Sequence, residues 1–198
     1  MGAASGVEDG SGERPRRRIP PPPGRVVVVA VVAALLLAAV APGRARAAET
    51  GSVFHIDRNK NRNQVHYGVH VDDQCRPVGA QPVYNYWLRL EKNPPETEPL
   101  RFFQQAAYGF QKQEVEADGR IEVRLRALPG RQVVIRLASV GGACKAEAFL
   151  TIDGKDAHLE KVFVFADEGV FLPTVRYIEL YGRSNDGVAV YEKIAVDD

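Results

Sequence analysis

The chain has two cysteines, one methionine and one tryptophan in 198 residues. It contains no Cys-x-x-Cys pair, so the commonest spacings of zinc and dithiol redox sites are missing. There is no G-x-S-x-G, no phosphate-binding Gly-rich loop and no dinucleotide fingerprint. Beyond residue 48 only Ser52, Ser139 and Ser184 could supply a serine nucleophile. An excess of charge is lacking as well, because 26 Lys and Arg face 25 Asp and Glu for a formal +1. That balance excludes a strongly basic nucleic-acid binder, and 45% apolar residues exclude a wholly disordered chain.

What charge there is divides unevenly. Residues 1–47 hold seven Arg, no Lys and three acids, leaving 19 basic and 22 acidic groups, a net of −3, for residues 48–198. Residues 1–25 are Gly, Ser, Pro and Arg with few apolar side chains, a composition that cannot build a core and predicts disorder. Arg14, Arg16, Arg17, Arg18 and Arg25 precede an uninterrupted apolar run, Val26 to Ala41, followed by Pro42-Gly43 and Ala45-Arg46-Ala47. This is the order of a signal peptide, with cleavage predicted before Ala48. As a helix the 16-residue run spans about 24 Å, short of a hydrocarbon core of about 30 Å. The rival reading is an uncleaved N-terminal anchor in the inner membrane. Either way the flanking Arg residues hold the N-terminus in the cytoplasm and send the remainder out, to periplasm or medium. The first cysteine after the run is Cys75, which excludes a lipid-modified N-terminal cysteine, and Pro20 to Pro23 follow Arg16-Arg17 where twin-arginine export wants an apolar residue. Cys75 and Cys144 both lie in the exported part and are predicted to form a disulfide.

Residues 48–198 have the size of a single domain. Val65, Tyr67, Val69 and Val71 alternate, as do Ile121, Val123 and Leu125, and Val133, Ile135 and Leu137. Such period-2 patterns are half-buried strands. Asp118-Gly119, Pro129-Gly130, Gly141-Gly142, Asp153-Gly154 and Asp186-Gly187 punctuate them. The fold class predicted is mainly β, an antiparallel sandwich or barrel of about ten short strands near 52–57, 64–72, 82–90, 110–117, 120–127, 131–138, 144–152, 157–166, 174–182 and 187–196. One short helix is expected over 98–108, with Pro99 in its first turn, Leu100, Phe103 and Ala107 on one face and Gly109 as its stop.

Several segments together resemble an uncharacterised family of exported bacterial proteins known only as a domain of unknown function. They are Phe54-His55-Ile56-Asp57-Arg58-Asn59-Lys60-Asn61, Val65-His66-Tyr67, Pro82-Val83 with Tyr86-Trp87, Ala107-Tyr108-Gly109-Phe110, Tyr177-Ile178-Glu179-Leu180-Tyr181-Gly182 and Val190-Tyr191-Glu192-Lys193-Ile194. The resemblance implies one exported, β-leaning domain over most of the mature chain and assigns no catalytic or binding residue. The cysteine pair lies outside that pattern.

Four side-chain groups bear on function. Tyr84, Tyr86, Trp87, Phe102, Phe103, Tyr108 and Phe110 place seven of the 16 aromatics in 27 residues, which suits a cavity lining, a sugar-stacking groove or core packing. On a strand Tyr86 and Trp87 point to opposite faces. The loop from Asp57 to Asn63 concentrates Arg58, Lys60 and Arg62 among three Asn, as an anion site or as a solvated hairpin loop. All four His follow residue 48; if the first two strands pair, the shared apolar face of Phe54, Ile56, Val65 and Tyr67 puts His55 opposite His66, with His70 too far along the strand to join them. That pair invites a metal reading against the plainer one of solvent-facing imidazoles. Glu179 and Glu192 sit on consecutive strands and would be an acid/base pair only in the right register.

The reading these residues favour is an exported β-domain that binds a small molecule or an envelope protein. Tyr84, Tyr86, Trp87, Tyr108, Arg58, Lys60 and Arg62 are its expected recognition residues, with no catalytic residue, metal or cofactor assigned. Nucleic acid is not an expected partner, and the membrane is one only through an uncleaved N-terminal segment. A metal-assisted or carboxylate-based hydrolase of the envelope is the alternative, and a structural envelope protein the third.

Overall fold

Alternating apolar side chains need a sheet with one face turned inward, and the computed structural model of the chain provides it. It describes residues 47–167 and 174–196; the N-terminal region of 1–25 and the apolar run and cleavage region of 26–47 lie outside these residues apart from Ala47. Among the described residues twelve strands and one helix follow one another. They are β1 Ala48–Glu49, β2 Phe54–Arg58, β3 Gln64–Val71, β4 Val83–Arg89, β5 Glu96–Glu98, α1 Phe102–Tyr108, β6 Phe110–Val115, β7 Ile121–Leu125, β8 Val133–Val140, β9 Ala143–Ile152, β10 Lys155–Asp167, β11 Thr174–Ser184 and β12 Ala189–Ala195. The chain is mainly β, as its alternation predicts. Among the described residues no helix is long and apolar enough to cross a membrane.

The sheet runs β5-β4-β3-β2-β10-β9-β8-β7-β6, with β11 and β12 added at β10 and β1 at β3. It is mostly antiparallel and not closed. Its branch point is β10: Lys155–His158 pair with β9, Lys161–Val164 pair in parallel with His55–Arg58, and β11 runs along the other edge. A strand has two edges, so β9 and β2 must part company along one of them. The sheet thereby splits and curls around its own apolar face. Where β4 faces β6 no ladder closes the gap. Instead the Gln113 amide donates to the Val83 carbonyl and accepts from the Val83 N–H, both at 3.0 Å, supplying the two bonds a neighbouring strand would make.

Phe54, Ile56, Val65, Tyr67, Ile135 and Leu159 are among the fully buried side chains of the core. Tyr67 stacks on Phe54 with centroids 4.6 Å apart and satisfies its hydroxyl on the Tyr108 carbonyl at 2.6 Å. The β8–β9 turn puts Gly141 and Gly142 at positive φ, and the β9–β10 turn does the same with Asp153 and Gly154, as two-residue hairpin loops require. Cys75 and Cys144 form a disulfide with Cα atoms 5.2 Å apart, tying the β3–β4 loop to the start of β9. Asp72 shapes that loop by accepting from the backbone N–H groups of Gln74 and Arg76 and from the Arg76 side chain.

The helix starts later than the sequence suggests. Glu96–Glu98 pair with Trp87–Arg89 as β5, which takes Glu98, the residue expected to open the helix, so α1 begins at Phe102 behind the Arg101 N–H bonded to the Gln104 amide. None of the residues of α1 is buried, and Phe103, expected on its inner face, is 74% exposed.

Candidate functional site

The period of two sends one set of side chains from β2, β3 and β4 outward. His55 pairs with His66, and His66 with Tyr86, so the register expected from the shared apolar face is the one observed. Their rings stack at 5.2 and 5.3 Å. The row continues sideways, since Lys161 pairs with both His55 and Tyr181, and Tyr181 with Tyr191. The Lys161 ammonium lies 4.5 Å from the Tyr181 ring centroid. Farther along β3, His70 stacks on Tyr84 at 4.5 Å, and Tyr84 covers Gly68 so closely that a Cβ there would meet the ring at 2.4 Å.

His66 places Nδ1 2.6 Å from the Ser52 hydroxyl and Nε2 2.9 Å from the Gln64 amide oxygen. Burial, with the neighbouring His55 second, lowers its pKa to about 4; burial also lowers that of His55. Both imidazoles are therefore neutral bases at pH 7. Their ring planes are only 21° apart, so the in-plane lone pairs run side by side instead of converging on one ion. The carboxylate pair fares no better as a catalytic couple. Glu179 faces outward, where the hydroxyls of Tyr181 and Tyr191 donate to it at 2.6 and 3.0 Å and help hold its pKa down. Glu192 points the other way and takes the Arg131 guanidinium and the Asp153 N–H.

The expected recognition residues do not stay together. Tyr84 and Tyr86 are half-buried on the outer face, whereas Trp87 points inward and is 5% exposed, which corrects its place in the set: it is core. The loop triad divides too. Arg58 lies over Trp87 at 4.6 Å and donates to Asn61 at 3.1 Å, so its charge is committed to the fold, while Lys60 and Arg62 are exposed. Asn59 exchanges two hydrogen bonds with the Ala166 backbone and so acts as an extension of the sheet. An open depression of about 610 Å³ sits among Arg58, Asn59, Asn61 and Arg62.

Tyr108 leads to a different place. It lines a cleft of about 620 Å³ with Phe102 and Phe103 of α1, Ala127 and Pro129 of the turn after β7, and the ends of β10 and β11 at Val164 and Ile178. Arg126 is the single charged residue among the described lining residues. Phe102 and Phe103, 81% and 74% exposed, stand at this cleft with their rings edge to face at 5.5 Å. The sequence placed both in the aromatic cluster but singled out neither. The available signal was the absence of charge from Phe102 to Tyr108 on a segment too short to bury a full face.

An open, branched, mainly antiparallel sheet with one short helix beside an apolar cleft defines the class of this domain. The chain belongs to the family described as Domain of unknown function (DUF4833), which matches residues 54–193. No curated protein and no solved structure matches it.

Proposed function

We propose that this protein is an exported binding module that holds a small, predominantly apolar molecule in the cleft between α1 and the ends of β10 and β11. The observation that carries this reading is the cleft itself. Its volume of about 620 Å³ falls in the range of small-molecule sites, and its walls are Ala, Val, Ile, Pro and aromatic side chains. One cation in such a lining gives the ligand a direction: the apolar body packs along Phe103, Ile178 and Val164, and an anionic end meets Arg126.

The test uses anilinonaphthalene sulfonate, an apolar fluorophore with one negative charge. The native protein is expected to enhance its fluorescence saturably. Ala106→Glu alters an exposed lining residue, so the fold is kept while a carboxylate enters the cleft, and the enhancement should be lost. Arg126→Gln should weaken binding by up to about fivefold, the size of one exposed charge pair. Saturable binding that both variants leave unchanged would refute the reading.

A further inference from the structure

Two adjacent phenylalanines on a seven-residue helix are 81% and 74% exposed, although burying each would be favourable. They are not scattered surface residues, because they border a predominantly apolar cleft of about 620 Å³. Two cations flank them. Arg101, which precedes α1, has a guanidinium-bearing side chain 79% exposed, and Arg126 stands in the cleft lining. The nearby acid, Glu98, is shared: Arg89 binds it at 2.9 Å and Arg101 approaches only to 3.9 Å. Exposed aromatics flanked by cations suit the interface of an anionic bilayer, where rings enter the acyl boundary and guanidinium groups meet phosphates.

We infer that Phe102 and Phe103 seat the protein on an anionic lipid surface and that the cleft receives an acyl chain from it. This rests on the reading of the cleft as a ligand site and names the ligand as a membrane lipid. In that arrangement α1 lies at the interface, the chain slides between α1 and the ends of β10 and β11, and Arg126 keeps the head group at the mouth. A second copy of this chain is a weaker occupant, because Arg101 and Arg126 would be brought against their own equivalents.

The experiment places a reporter at the seat. Full-length Phe102→Trp is mixed with vesicles of phosphatidylglycerol and phosphatidylcholine carrying brominated acyl chains, which quench indole emission on contact. The native Trp87 is buried and supplies a constant background. Quenching of at least twofold is expected, reduced severalfold by adding Phe103→Ser or the pair Arg101→Gln and Arg126→Gln. Because the N-terminal apolar run could also bring the chain to vesicles, Tyr86→Trp on the outer face is measured beside it and should remain unquenched. Equal quenching at both positions, or none at Phe102→Trp, overturns the inference, as does a concentration-dependent dimer that forms without lipid and is abolished by Phe103→Ser. The two readings separate cleanly. Loss of anilinonaphthalene sulfonate binding in Ala106→Glu together with an unquenched Phe102→Trp keeps the cleft as a ligand site and removes the lipid surface. Quenching in a protein that binds no fluorophore keeps Phe102 and Phe103 as a lipid seat and overturns both the cleft as a ligand site and the acyl chain within it.

Discussion

His66 is a base held without its proton. It is packed between the rings of His55 and Tyr86, with Asp57 and Lys161 the other charged groups near the pair, and burial lowers its pKa from 6.5 to about 4. The unfolded chain takes up a proton near pH 6.5 that the folded one refuses until about pH 4. Stability from this site is therefore complete above pH 6.5, falls as pH drops through that window and levels off below it. His55 shifts in the same direction and adds to the fall. Thermal melting between pH 7 and pH 4.5 should show a declining midpoint, and His66→Gln, which keeps a hydrogen-bonding amide, should flatten part of the decline. A slope identical in the two proteins would mean that other groups carry the pH dependence.

Elements were legible where local pattern sufficed. Phe54, Ile56, Val65 and Tyr67 must share the apolar face, which alone fixes His55 against His66, and the same alternation separates Tyr86 from Trp87. The parallel pairing of β2 with β10 has no local cause, since His55 and Lys161 meet only when segments far apart in the chain pair. Nor could the start of α1 be read, because Glu98 before Pro99 suits a helix start and becomes part of a strand only when Trp87 lies beside it. The disulfide was legible from the expected compartment and the count of two cysteines, and its energetic weight follows from the chain it closes. With 69 positions between its ends it removes about 4 kcal/mol of unfolded-state freedom in the chain-entropy model. Replacing both cysteines, Cys75→Ser with Cys144→Ser, is expected to cost about 2–5 kcal/mol in denaturant unfolding. A loss below about 1 kcal/mol would show that Asp72 and its bonds to Gln74 and Arg76 hold the β3–β4 loop without the bridge.

At the scale of the molecule the cleft was the least legible feature, for a physical reason. Its lining comes from α1, the turn after β7 and the ends of β10 and β11, four short segments whose meeting depends on how the sheet splits at β10. The expected destination of the protein, by contrast, rests on local sequence. Five Arg precede the apolar run, Ala45-Arg46-Ala47 follows it, and the first described strand begins at Ala48, paired to Val71. Cleavage between Ala47 and Ala48 would free the domain at the residue where its hydrogen-bonded ladder starts, leaving no apolar tail on a sheet already paired. It would also leave the Cys75–Cys144 bridge to form in an oxidising compartment. N-terminal sequencing of protein recovered from the native cell envelope or medium is expected to read Ala48-Glu49-Thr50. Recovery of an intact Met1 start on membrane-bound chains would replace the cleaved leader with an anchor. It would also hold the domain permanently at a bilayer, so the Phe102 and Phe103 seat would need to act on that same membrane rather than on one the protein reaches by diffusion.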